Sequence, residues 1–212
     1  SLRHAQPLTS RTHIAYTVVA KEGFETMRLQ LDGDWSLTYF PHGEHVIDSL
    51  SDLLASGAPT IPAKVPGNVE LDLERAGILP DPFYSANIRK LRPYEFYEWW
   101  YVREFDLPGL VANRPLELVF AGLDTFATVW VNDVEVGRAA NMLIEHRFDV
   151  SKAIRPGQTN RIGVRIESAV HCARGYTYDA MLSALDTREE GLYVRKAPHM
   201  WGWNSMPRAV SA

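Results

Sequence analysis

An all-β sandwich of jelly-roll type, with one or two short helices, is the fold class this sequence predicts, and three observations predict it. Short segments of alternating or β-branched residues recur at the spacing of sandwich strands. Turn chemistry separates them, as at Asp32-Gly33-Asp34, Pro108-Gly109 and Asn132-Asp133. Helical periodicity is sparse. With 212 residues, 46% of them hydrophobic and 23% charged, the chain can bury one sizeable core. No linker or internal repeat divides it, and sandwiches of this length form single domains.

The first 26 residues are polar and weakly patterned, which predicts a loosely held lead-in (1–26) ahead of a domain spanning 27–212. Met27–Leu31 and Trp35–Tyr39 alternate across a turn. Tyr97–Leu107 is long, aromatic and β-branched, and stops at Pro108-Gly109. Pro115–Phe120 and Phe126–Val131 are the next strands, with a hairpin at Asn132-Asp133 into Val134–Val136. Ile144–Val150 and Arg161–Ile166 complete the series. Within it, Trp35, Trp100, Phe105, Leu118, Phe120, Val129, Val131, Phe148, Ile162 and Val164 are expected to point inward. Helical spacing over Val69–Ala76, between Asn68 as N-cap and Gly77 as terminator, predicts one short helix. Ser151 is placed to cap a single turn at Lys152–Ile154, and Tyr178–Leu185 suggests another short helix.

Twenty-two basic against twenty-six acidic residues leave a net charge of -4, which argues against nucleic acid or an anionic membrane as the main partner. The one cysteine, Cys172, cannot form an intramolecular disulfide. No apolar run is long enough to span a bilayer, and Ser1–Arg11 lacks the apolar centre of a signal peptide, so a cytoplasmic location is expected.

Enzyme signatures that can be tested fail. Gly-rich phosphate loop, G-x-S-x-G elbow and H-E-x-x-H are absent, and no cofactor or metal is expected. His42 and His45 read as a solvated loop, and Cys172 beside His171 as a lone buried thiol. Glu95 with Glu98, Asp72 with Glu74 and Glu189 with Glu190 read as solvated charge, so no catalytic residue is assigned. Asp124 reads as a turn carboxylate that caps backbone amides. The stretch Tyr193–Arg208 differs: it gathers two Trp, Arg195, Lys196, His199, Asn204 and Arg208 in an irregular loop. Indole faces beside planar hydrogen-bonding groups suit sugar recognition. The same residues suit Trp201 and Trp203 as plugs for one end of the sandwich.

These residues resemble a known family. Leu31-Asp32-Gly33-Asp34-Trp35, Val65-Pro66-Gly67-Asn68-Val69 with Asp72-Leu73, and Pro80-Asp81-Pro82-Phe83-Tyr84 are similar to successive motifs of the N-terminal sugar-binding domain of glycoside hydrolase family 2, closest to its β-mannosidase branch. So are Trp99-Trp100-Tyr101 with Arg103-Glu104-Phe105, Gly122–Ala127 with Val131-Asn132, Asn141-Met142, and Arg195-Lys196 followed by Gly202-Trp203 and Pro207-Arg208. Their order matters more than any one of them.

The resemblance implies a galactose-binding-domain-like sandwich from a retaining exo-glycosidase whose catalytic glutamates lie in a TIM barrel elsewhere in the parent chain. Neither that barrel nor the family's Asn-Glu dipeptide occurs here. It therefore implies a non-catalytic module whose partners are a β-linked terminal sugar and the parent's barrel. It assigns Trp203, Asn204 and Arg208 to the terminal-sugar subsite or to shaping its loop, with Arg195 and Lys196 in support. Asn204 stands where the family has Asp, and Ser205-Met206 where it has Trp-Gly. The alternatives are a free-standing lectin domain, or a structural sandwich docking a β-galactosidase- or β-glucuronidase-type barrel. A further strand is expected beyond Ala212, and with it self-association through an unpaired edge.

Overall fold

The computed structural model describes residues 16–22, 25–107, 115–177, 191–202 and 209. The strands are β1 (Tyr16–Glu22), β2 (Glu25–Gln30), β3 (Gly33–Pro41), β4 (Thr60–Val65), β5 (Tyr97–Asp106), β6 (Leu116–Phe120), β7 (Phe126–Val131), β8 (Val134–Ala140), β9 (His146–Asp149) and β10 (Thr159–Ile166). A four-stranded sheet, β2-β1-β6-β9, packs on a six-stranded sheet, β4-β3-β5-β10-β7-β8, and every pair within them is antiparallel. Among the described residues three short α-helices accompany the strands: α1 (Leu50–Ala55), α2 (Val69–Arg75) and α3 (Ala169–Arg174). The predicted β-sandwich is the observed one.

Strand β5 explains why two layers of core exist. Alternation sends Trp99 and Tyr101 to the inner face, where Trp99 joins Trp35, Leu37, Phe105, Leu118, Phe120, Val129, Val131, Ile162 and Val164. Each large side chain buried there contributes roughly 1.5–3 kcal/mol. Trp100 points the other way. It was expected to point inward with Phe105, five residues on, but an odd spacing puts the two on opposite faces, and Trp100 is buried in a second cluster on the outer face with Phe40, Val102 and Trp130 beneath Leu50 and Leu53 of α1. Gly163 makes room for that helix, since a Cβ there would lie 2.1 Å from Leu50 Cδ2. Ser49 caps α1 by accepting the Asp52 N–H at 3.1 Å and donating its hydroxyl to the Asp52 carboxylate at 2.7 Å. Phe148 is only half-buried at the rim of the main core.

Other differences have local causes. The expected lead-in carries β1, whose backbone pairs with both β2 and β6, so the sheet starts before Met27. Strand β4 contains Pro62, which hides it from a strand search; it pairs only with β3, and the edge tolerates proline. Ser151 does not cap the turn after β9. Its hydroxyl accepts the Leu116 N–H at 2.9 Å, while Asp149 Oδ1 accepts the Ser151 N–H at 2.9 Å and the turn closes on the Val150 carbonyl. Helix α2 forms as expected: Asn68 accepts the Leu71 N–H at 3.0 Å, and Gly77 takes φ +72° beyond its end. Tyr178–Leu185 lies outside the described residues.

The registers fix two ends. At one, β7 runs through Asn132 into β8, near the start of β10. At the other lie the starts of β5 and β7 and the end of β10, where Trp99 pairs with Ile166 and Ile166 with Ala127. The second end carries the candidate site.

Candidate functional site

The site is built on the connection between β6 and β7. Gly122-Leu123-Asp124-Thr125 crosses from one sheet to the other, with a cis peptide between Asp124 and Thr125. Asp124 accepts the Lys196 ammonium at 2.6 Å and the Thr125 hydroxyl as well. The Lys196 side chain is 1% exposed and that of Asp124 is 23% exposed, so the pair is sealed on the lysine side and open on the carboxylate side. Asp124 was expected to cap backbone amides; its bonds here are to side chains, and it fastens a segment 72 residues downstream.

A second clamp lies beside it. Asn141 bridges Arg195, the Met142 N–H donates to the Arg195 carbonyl at 3.0 Å, and the Ala197 N–H meets Met142 Sδ at 2.9 Å. Asn141 is itself held, its side-chain oxygen accepting the Leu143 N–H at 2.9 Å. From this platform the chain makes a short 3-10 turn, Pro198–Trp201, which ends at Gly202 with φ +80°. That left-handed conformation suits glycine. Trp201 is a plug: it is buried against Ala169, Val170 and Ala173 of α3 and against Val194. The Ala209 N–H then donates to the Met200 carbonyl at 2.9 Å, tying together the flanks of the segment 203–208.

Of the residues singled out in the sequence, Trp203, Asn204 and Arg208 lie outside the described residues. Lys196 has its ammonium on Asp124, and Arg195 is exposed beside it. Next to the pair a cavity of about 300 Å³ opens between the sheets, walled by Trp35, Tyr101, Phe120 and Leu123 and rimmed by Asp124 and Asn68. Aromatic walls with a few polar groups at the mouth are the usual character of a small-molecule pocket. The Asp124–Lys196 pair escaped the sequence reading; the only signals were the ordered motifs containing its two members.

The remaining candidates fall elsewhere. His42 Nδ1 contacts Glu98 Oε1 at 2.8 Å, and His45 stands edge-on to Phe40 at 4.8 Å, so the two histidines have separate partners. Glu95 and Glu98 are buried rather than solvated, because Glu95 takes Arg92 at 2.9 Å and Glu98 takes His42. Asp72 is fully buried as well, accepting the Lys64 N–H at 3.2 Å and paired with Arg75 at 2.7 Å. Burial pushes the Cys172 thiol up to about 11, which leaves it a poor nucleophile at neutral pH. Glu189 and Glu190 lie outside the described residues.

The two antiparallel sheets, one of four strands and one of six, define a β-sandwich domain. Residues 44–212 match the family described as glycosyl hydrolase 2 galactose-binding domain-like, and the chain belongs to that family, on its β-mannosidase branch. It is 32% identical over 151 residues to β-mannosidase B of Emericella nidulans, covering 70% of this chain and 18% of that protein. It is 33% identical over 114 residues to β-mannosidase of Rattus norvegicus, covering 53% and 13%. The β-D-mannosidase structure from Dictyoglomus thermophilum superposes with a TM-score of 0.71 at 29% identity, over 87% of this chain and 21% of that one. The chain thus spans about a fifth or less of the length of these relatives.

Proposed function

We propose that this chain is the non-catalytic N-terminal sugar-binding domain of a β-mannosidase-like exo-glycosidase, and that it lends the loop 203–208 to the terminal-sugar subsite of that parent. One observation supports it above the others. The loop's two flanks are anchored where the sandwich is open, by the Ala209–Met200 bond and by Lys196 on Asp124. A chain fastened at its base and carrying an indole, an amide and a guanidinium is equipped to stack on a sugar face and bond its hydroxyls. In this reading Lys196 acts as a strut and Arg195 stands at the loop's edge, while Trp203, Asn204 and Arg208 meet the sugar or shape the loop around it. The domain performs no hydrolysis alone, because retaining chemistry needs two opposed carboxyl groups and Asp124 faces an ammonium.

The rival reading is a structural sandwich, and Trp201 supports it, since that indole is spent on packing. The two readings separate in the full-length protein. Trp203→Ala is expected to lower kcat/KM for an aryl β-mannoside by at least thirtyfold, about 2 kcal/mol, with little change in Tm. Asn204→Asp is expected to shift the mannoside-to-galactoside ratio, because it exchanges a donor for an acceptor. A lower Tm with unchanged kinetics would make the loop a packing element.

A further inference from the structure

The motif Pro80-Asp81-Pro82-Phe83-Tyr84 has no part in the site described above, yet it is ordered in an unusual way. Pro82 is buried, while Phe83 and Tyr84 are 82% and 72% exposed. A hydrogen-bonded frame holds them there. Asp81 accepts the Phe83 N–H on its carboxylate at 2.8 Å, and its carbonyl accepts the Tyr84 N–H at 3.3 Å and the Asn87 side-chain amide at 3.0 Å. The Asn87 N–H donates to the Tyr84 carbonyl at 3.2 Å, and Ser85 adopts φ +55° to complete the turn. Two prolines restrict the backbone further. The chain thus orders a turn whose outcome is to keep two adjacent aromatic rings in water. Preorganised, solvent-facing aromatics mark contact surfaces.

We infer that Phe83 and Tyr84 form a docking knob for the remainder of the parent polypeptide, a contact distinct from the sugar loop. The inference rests on the parent reading above. The occupant follows from length: the Dictyoglomus β-D-mannosidase chain is matched over only 21% of its extent, so most of such a chain lies outside this domain and needs a surface to pack against. The chemistry agrees. The Phe83 ring, 82% exposed, carries no hydrogen-bonding group, and an apolar socket on protein buries it fully while leaving the Tyr84 hydroxyl a place at the rim. The 3-10 segment Asn87–Phe96 that continues the turn is fastened to α3, through the Ser168 hydroxyl on the Glu95 carbonyl and Arg174 over the Phe96 ring at 5.1 Å. A load on the knob is therefore carried into the fold rather than into a free loop.

Photo-cross-linking in the full-length protein tests this directly. With p-benzoylphenylalanine in place of Phe83, irradiation is expected to yield an intramolecular adduct whose peptide map joins residue 83 to a site beyond 212. The paired substitution Phe83→Ser with Tyr84→Ser is expected to make the domain's release by limited proteolysis at least tenfold faster. An adduct at twice the chain mass would show a second copy as occupant, and loss of the adduct on adding β-mannan would show a glycan; either result overturns the inference. So does an irradiated long chain that yields no adduct with unchanged proteolysis. A reading frame that ends near Ala212 removes the occupant and overturns the parent reading with it, so the two failures are distinguishable.

Discussion

The two ends of the sandwich are built with different chemistry. At the end where β7 turns into β8, two amides do the work. Asn132 accepts the Arg161 N–H at 2.9 Å and donates to the Ala153 carbonyl at 2.9 Å and to Asn160 Oδ1 at 2.7 Å. Asn160 is fully buried; it accepts the Arg155 N–H at 2.7 Å and donates to the Arg155 and Gln158 carbonyls at 3.0 and 2.9 Å. Both amides are spent on neighbouring groups of the fold. At the opposite end an ion pair sits beside an aromatic cavity with its carboxylate open to solvent. A cavity of about 260 Å³ lies at the first end too, lined by Asn132, Asn160 and Arg161, but the two amides beside it are taken up by the fold, whereas Asp124 keeps acceptor capacity at the mouth of the aromatic cavity. The contrast separates scaffold from site without reference to sequence motifs, although both Asn132 and Asp124 belong to such motifs.

The strongest way to break this contrast is to remove an amide at the first end. Asn160→Ala would remove four hydrogen bonds at once, taking their amide partner from the Arg155 N–H, the Arg155 and Gln158 carbonyls and Asn132. A loss on the order of 4 kcal/mol is expected in urea unfolding, with the kinetics of whatever enzyme remains folded unchanged. Altered substrate discrimination in that variant would show that the first end also serves the site.

At the open end the two members of the ion pair should not cost the same. Asp124→Asn removes the carboxylate that meets the sealed Lys196 ammonium at 2.6 Å, a loss of about 3 kcal/mol. Lys196→Met keeps the apolar stem and leaves a carboxylate that water can reach, so roughly 1 kcal/mol is expected. Thermal or urea unfolding of the two variants and of the double variant gives the order and the coupling. Equal losses would mean that the burial asymmetry between 1% and 23% carries no energetic weight.

Much of this fold was legible because it is local. Alternation located β3, β5, β7 and β10, and the pairing of Asn68 with Gly77 bounded α2. What was hidden depends on distant partners. Alternation places Trp99 and Trp100 on opposite faces but cannot say which face α1 will cover, and α1 begins 50 residues upstream of Trp100. Strand β1 pairs with its neighbour β2, but what ties it into the sheet is β6, about a hundred positions away, with Thr17 opposite Val119. The Asp124–Lys196 pair was hidden for the same reason. Family motifs pointed to both residues, but charge alone could not join them across 72 positions.

A second carboxylate sharpens the comparison with the smallest effect. Asp72 also meets a cationic side chain, Arg75 at 2.7 Å, yet unlike Asp124 it is fully buried, and burial raises its pKa above the ordinary 3.8 despite the Lys64 N–H and Arg75. A raised folded-state pKa means that the folded protein prefers the protonated acid. The stability this provides is present below the unfolded value and is lost as pH rises through the folded one. Asp72→Asn removes the titration while keeping the shape and an acceptor for the Lys64 N–H. The stability of the native chain relative to this variant should therefore fall as pH is raised from about 3 to about 6.5, read as the difference between urea midpoints at each pH so that titrations common to both cancel. If the native chain instead gains on the variant over that range, Arg75 and the Lys64 N–H outweigh desolvation, and Asp72 is an ion pair of the same kind as Asp124.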